Sequence, residues 1–201
     1  MVIGITGGSG CGTSSVGRIL EENGWGFIDC DAVYHKILAT DENIKADLVA
    51  RFGKGILSSD NLIDRKALGR IVFADEAALC DLNAITHGYI TEKVIELIAE
   101  SDKVDIAIEA VELLESGMKT LCTAVVGILA DREIRISRIM ARDALSRENA
   151  EKRIDAQRSD EYYRSKCNRC IDNNGTFEEL ADCVLALIKE IDTERFNSIA
   201  Q

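Results

Sequence analysis

Between Gly7 and Ser15 the chain reads GGSGCGTSS, with glycines at 7, 8, 10 and 12 and hydroxyl side chains at 13, 14 and 15. Residues without side chains let backbone N–H groups converge on an anion. A helix starting directly after them adds the positive end of its dipole. The chemistry this combination suits is the holding of phosphate. The usual spacing for such a loop is G-x-x-x-x-G-K-[ST]. Gly7 and Gly12 fill both glycine positions, and Ser14 carries the hydroxyl that would sit on Mg²⁺. Thr13 stands where the lysine belongs. The cradle of Gly8, Gly10, Cys11, Gly12, Thr13, Ser14 and Ser15 is therefore kept, without its point charge. Either another cation reaches in, with a lid arginine the nearest candidate, or a reaction there runs slowly.

Other residues could act beside such a loop. Asp29-Cys30-Asp31 ends an apolar stretch, and open parallel sheets bind ligands at the carboxyl ends of their strands. Asp31 is thus a candidate functional carboxylate, although either aspartate would also serve as a helix cap. Glu109 and Glu112 follow a later strand and leave two readings open, orientation of magnesium-bound water or plain solvation. Arg135, Arg138 and Arg142 recur at i, i+3, i+7 and share one helical stripe, with Ile136, Ile139 and Met140 on the opposing side. Such a stripe is commonly a solvated face laced with ion pairs. This one has few acidic partners one turn back and leads into a second basic segment starting at Ser146, with Arg153 and Arg158 beyond. Ser146 reads as an N-cap, with Asn149 where a full capping box has Glu or Gln. Two basic helices joined by a turn suit a lid over phosphates, because a guanidinium binds two oxygens at once and stays charged. Cys167 and Cys170 have no second pair, whereas structural zinc needs four ligands, so they read as plain thiols. His87 likewise reads as structural.

These residues need a scaffold. Val2–Ile5 predicts a buried strand, and residues 13–23 an amphipathic helix with Val16, Ile19 and Leu20 inward and Gly24 as its stop. Trp25–Asp29 predicts the second strand. Helical patterns then follow over 32–40, 42–52, 65–73 and a longer stretch through Leu97, broken by loops at Gly53, Gly55 and 58–61. Asp105–Ile108 and Ala124–Ala130 are near-continuous apolar runs, as in a parallel sheet covered on both faces. A short last strand ends in the turn at Asn173, Asn174 and Gly175. The final helix, 177–191, turns Leu180, Val184, Leu187, Ile188 and Ile191 inward. The pattern is α/β, with a helical insertion between strands two and three.

Composition narrows the class. The 201 residues are 46% apolar and 29% charged, ordinary for a globular chain. No apolar run is long enough to cross a membrane. Without a signal-peptide pattern, and with seven scattered cysteines that suit reduced thiols, the expectation is a cytoplasmic protein. A net charge of −11 speaks against nucleic acid as a partner. Basic residues nonetheless outnumber acidic ones between positions 131 and 158, where polyphosphate would need them. Nothing in the sequence indicates an oligomeric state.

Taken in order, ITGGSGCG, FIDCDAV, LIDRKALGRIVF, LNAITH, LLESG, RIMARDALSRENAEKRIDAQ and IDNNGTFEEL resemble the dephospho-coenzyme A kinase family over nearly the whole chain. The resemblance implies a P-loop NTPase-type parallel five-stranded sheet flanked by helices. Its core would be about 1–31, 101–140 and 167–195, with an acceptor-binding helical insertion at about 32–100 and a helical lid at about 141–166. It implies ATP and Mg²⁺, and transfer of phosphate to the ribose 3′-hydroxyl of dephospho-coenzyme A. Asp31 then matches the base for that hydroxyl, and Arg65 an arginine near the acceptor. Arg138 and Arg142 match lid arginines, Ser14 the magnesium ligand, and Asn173 and Asn174 the turn near adenine. Three departures stand out. Thr13 replaces the lysine, Gly88 stands where proline commonly follows His87, and EAVELLE replaces a proline-containing run. The alternatives are another small-molecule P-loop kinase, or a nucleotide- or coenzyme-binding protein weakened by the loss of its lysine.

Overall fold

The computed structural model describes the backbone of residues 1–199 and side chains through residue 193. Strands β1 (Val2–Thr6), β2 (Gly26–Asp29), β3 (Ile106–Glu109), β4 (Ala124–Leu129) and β5 (Arg169–Asp172) form one parallel sheet in the order β2-β3-β1-β4-β5. This is the predicted α/β class. Contacts within the chain cluster into two units, residues 1–27 with 103–201, and residues 28–102.

In the first unit, Ile3 of β1 lies between Ala107 of β3 and Ala124 of β4. The apolar runs in these strands are explained by burial on both faces. Helix α1 (Thr13–Glu22) brings Val16, Ile19 and Leu20 to the core, and α9 (Phe177–Ile199) brings Leu180, Val184 and Leu187. Because the strands are parallel, their following segments leave along one edge. That edge carries the glycine loop after β1, Glu109 closing β3, Asp131 after β4 and Asn173 after β5. The Asp131 N–H donates to Asn174 Oδ1 at 2.8 Å, and the Asn173 N–H to the Leu129 carbonyl at 2.7 Å, which ties the ends of β4 and β5 together.

Some boundaries differ from expectation. Trp25 precedes β2, and Asp105 precedes β3, where its carboxylate pairs with the N-terminal ammonium at 3.1 Å. The last helix continues past Ile191 to Ile199. Helix α6 (Arg132–Asp143) ends at Ala144, whose φ of 52° turns the chain into α7 (Arg147–Asp155). Ser146 Oγ accepts the Asn149 N–H at 3.3 Å, so half a capping box suffices. Ile136, Ile139, Ala150 and Ile154 close a small core between α6 and α7. Helix α8 (Asp160–Lys166) leads back to β5.

The second unit holds α2 (Cys30–Thr40), α3 (Glu42–Phe52), α4 (Arg65–Val72) and α5 (Glu76–Glu100). Each starts at an aspartate whose carboxylate accepts first-turn N–H groups: Asp29, Asp41, Asp64 and Asp75. Asp29 therefore takes the capping role and leaves Asp31 in the first turn of α2. Ile44, Leu48, Ile56, Leu68, Val72, Leu82 and Val94 are buried within this unit. The buried Thr86 hydroxyl donates to the Leu82 carbonyl at 2.9 Å, so no polar cost is left open there. Among the described residues no helix is long and apolar enough to cross a membrane.

Candidate active site

A loop can aim its N–H groups at an anion only if its carbonyls are turned away and satisfied elsewhere. Three consecutive carbonyls here are held by side chains from distant elements. Ser9 O accepts from Arg135 Nε at 3.0 Å, Gly10 O from Arg138 Nη1 at 3.3 Å, and Cys11 O from Asn173 Nδ2 at 2.8 Å. Gly12, at φ 98°, turns the chain into α1, and its position offers that helix no side-chain cap. The Thr13 and Ser14 amides thus keep their helix-end donor character, while the Ser15 N–H donates to the Gly12 carbonyl at 3.0 Å. The cradle is built from the outside in.

Gly8 is required for a different reason. A Cβ there would fall 2.3 Å from Arg135 Nη2 and 3.0 Å from Gln157 Oε1. Gly8→Ala should therefore displace a buried guanidinium and cost about 1–3 kcal/mol of stability, as overpacking does. Urea denaturation of the two proteins checks this.

The side chain that replaces the lysine is not idle. Thr13 Oγ1 donates to Glu109 Oε1, and Ser14 Oγ lies 3.4 Å from both Glu109 oxygens. Of the two readings open for Glu109, the structure places its carboxylate against the loop's hydroxyls. A hydroxyl and a carboxylate are hard oxygen donors of the kind Mg²⁺ takes, so the residues present fit that ion.

The arginine stripe divides into three environments. Arg135 is 5% exposed, braced by Ser9 and by Gln157 Oε1 at 2.9 Å. Arg138 bonds Gly10 O, Asn173 O at 3.0 Å and Asn173 Oδ1 at 3.4 Å, bridging the loop to the turn after β5. Arg142 has a side chain 60% exposed and forks onto Asp143 at 2.8 and 2.9 Å. The Asp143 bond raises the Arg142 guanidinium pKa, with a smaller push from Glu109. Arg142, seconded by Arg153, holds the Asp143 carboxyl down at about 2, so this latch stays charged at any working pH. Ile136 and Ile139 are buried beside Arg135 rather than opposite it, and Met140, expected on their side, is exposed.

Asn173 is buried, with its side chain under the loop, and Asn174 Nδ2 donates to Asp131 Oδ1 at 3.0 Å. In the second unit, Asp31 lies exposed in the first turn of α2, with Tyr34 one turn on. Burial pushes the Tyr34 hydroxyl up, while Arg65 pulls it down and Asp31 raises it. Asp31 and Arg65 are thus the charges that bear on the Tyr34 hydroxyl. Tyr34 was accessible to sequence reasoning by its i+3 spacing from Asp31; Gln157 carried no local signal. Its Oε1 accepts the Ser9 N–H at 2.9 Å and its Nε2 donates to Ser9 Oγ at 3.0 Å. Cys167 and Cys170 share a hydrogen bond and flank Gly127, and burial pushes the Cys167 thiol up to about 11.

Comparison with known proteins points one way. The dephospho-CoA kinase family model matches residues 1–179. A dephospho-CoA kinase from Geobacter sulfurreducens is 40% identical over 198 residues, covering 97% of this chain and 98% of that protein. The solved dephospho-CoA kinase from Campylobacter jejuni superposes with a TM-score of 0.69 at 30% identity, over 96% of this chain and 98% of its own. A solved Thermus thermophilus protein superposes with a TM-score of 0.81 at 30% identity, over 94% and 97%.

Proposed function

Since the chain belongs to the dephospho-CoA kinase family, we infer that it phosphorylates the ribose 3′-hydroxyl of dephospho-coenzyme A with ATP, the last step of coenzyme A synthesis. The observation that carries this reading is the glycine loop whose three carbonyls are tied outward, in a chain matched by the family over residues 1–179. ATP as donor and free thiols suit a cytoplasmic setting.

Phosphoryl transfer is chiefly positioning and charge stabilisation. The amides of Gly10, Gly12, Thr13 and Ser14 hold the β- and γ-phosphates at the start of α1, those of Ser9, Cys11 and Ser15 being bonded within the loop and its brace. Ser14 and Glu109 would hold Mg²⁺, which when bound neutralises charge on those phosphates. Arg138 keeps the loop closed onto the Asn173–Asn174 turn, beside which the adenine lies. Asp31 accepts the proton of the 3′-hydroxyl, and Arg65 with Tyr34 orients the acceptor in the helical insertion. Arg142 exchanges Asp143 for the γ-phosphoryl oxygens as the lid formed by α7 and α8 closes, while Arg153 keeps Asp143 charge-paired.

Arg142→Ala should therefore weaken ATP binding roughly 10- to 100-fold, the range for losing a charged hydrogen-bond partner. Dephospho-coenzyme A should bind as before. Calorimetric titration of each ligand decides it, and a selective loss of the acceptor would show the arginine serving the other substrate. The activity itself is tested by ADP release with and without dephospho-coenzyme A. Release that does not depend on the acceptor would be hydrolysis of ATP by water, and no release at all leaves only a nucleotide-binding protein.

A further inference from the structure

We propose that Arg135 supplies, from the Gly8–Gly10 side of the loop, the fixed positive charge that Thr13 does not. This inference rests on the reading of the loop as the ATP site. Thr13 is neutral and its hydroxyl is committed to Glu109. Arg135 is 5% exposed and lies against the loop backbone, close enough that Cβ atoms at Gly8 and at Gly10 would both collide with it. Its Nε donates to Ser9 O at 3.0 Å and its Nη2 to Gln157 Oε1 at 2.9 Å. Both acceptors are neutral, so these bonds orient the guanidinium without cancelling it.

Gln157 completes the brace by holding Ser9 from two sides, through its N–H at 2.9 Å and its hydroxyl at 3.0 Å. The acid facing Arg135 is Asp160, at 3.8 Å from Nη1 and with a side chain 40% exposed. Asp160 sits in the first turn of α8, where solvent and the helix dipole share its charge. It offsets Arg135 only in part. A buried cation whose close partners are neutral is costly unless an anion is nearby. The phosphates of a nucleotide in the loop provide that anion. Arg135 is a positioning residue that acts through the loop it holds and through its field.

The test is calorimetric titration of ATP, ADP and AMP into the full chain, beside its Arg135→Gln, Gln157→Glu and Arg135→Gln/Thr13→Lys variants. Arg135→Gln should weaken ATP and ADP by at least about tenfold and leave AMP unchanged, because AMP lacks the phosphates the loop holds. Adding Thr13→Lys in that background should restore most of the loss, since it returns the charge by another route. A purely structural brace would not be rescued from there. Gln157→Glu covers the case in which Arg135→Gln does not fold. It sets a carboxylate on Arg135, so the melting temperature should hold or rise while ADP affinity falls. The proposal is overturned if Thr13→Lys fails to rescue, if AMP weakens as much as ADP, or if Gln157→Glu binds ADP like the wild type. ADP release by the wild type on adding dephospho-coenzyme A reports separately on the kinase reading. Its absence, with nucleotide binding intact, would sink the acceptor and leave the role of Arg135 standing.

Discussion

Asp31→Asn is expected to lower turnover roughly 10²–10⁴-fold, the range for loss of a general base, while ATP binds nearly as in the wild type. The substitution keeps size and hydrogen-bonding reach but removes the group that takes the hydroxyl proton. Folding should be little disturbed. Asp31 is exposed, and the cap of α2 is supplied by Asp29, whose Oδ1 accepts the Ala32 N–H at 3.0 Å. A stability loss would therefore not account for a turnover loss. Steady-state ADP release at saturating substrates gives turnover, and calorimetry gives ATP affinity. Wild-type turnover in the variant would remove Asp31 from the mechanism. Full activity in Asp29→Asn with reduced stability would set the two aspartates apart as base and cap.

Arg138→Ala should lower kcat/KM for ATP by about 10²–10³-fold, comparable to removing a preorganised donor from a charge-stabilising site. Arg138 joins Gly10 O to Asn173 O and Oδ1, at 3.3, 3.0 and 3.4 Å. Without it the Gly10 carbonyl loses its outward partner and the neighbouring amides lose their shared aim. Arg138→Lys should rescue only part of the loss, because an ammonium can replace Nη1 at the two carbonyls but cannot also supply the second nitrogen, Nη2, that reaches Asn173 Oδ1. Kinetics for the three proteins, with ATP varied at fixed acceptor, are the measurement. An alanine variant within a few-fold of wild type, or a lysine variant fully restored, would show that Arg138 contributes charge rather than loop geometry.

Much of the scaffold was legible because it is written in local patterns. Val and Ile runs marked buried parallel strands, 3.6-residue spacing marked α1 and α9, and the glycines at 7, 8, 10 and 12 marked a phosphate loop. The places of Ser14 at the start of α1 and of Asp31 just after β2 were likewise readable, since each follows from the strand or loop it adjoins. Even the family could be recognised, because seven short motifs in a fixed order are a linear property.

The arginines show where local pattern stops. Spacing alone places Arg135, Arg138 and Arg142 on one stripe of α6, and it does so correctly. Their fates differ, from 5% exposure for Arg135 to 60% for the Arg142 side chain, because segments far away in the chain cover one end of that stripe and leave the other in water. Ser9 and Gln157 bury Arg135, and Gly10 and Asn173 engage Arg138. The substitution at position 13 follows the same rule. The sequence by itself determined that the loop lacks its lysine. Only the tertiary structure decided what stands there instead, a hydroxyl held by Glu109 with a buried guanidinium against the loop. Periodicity fixes the direction of a side chain on its own element, and the environment it meets is made by chain segments that no local window contains.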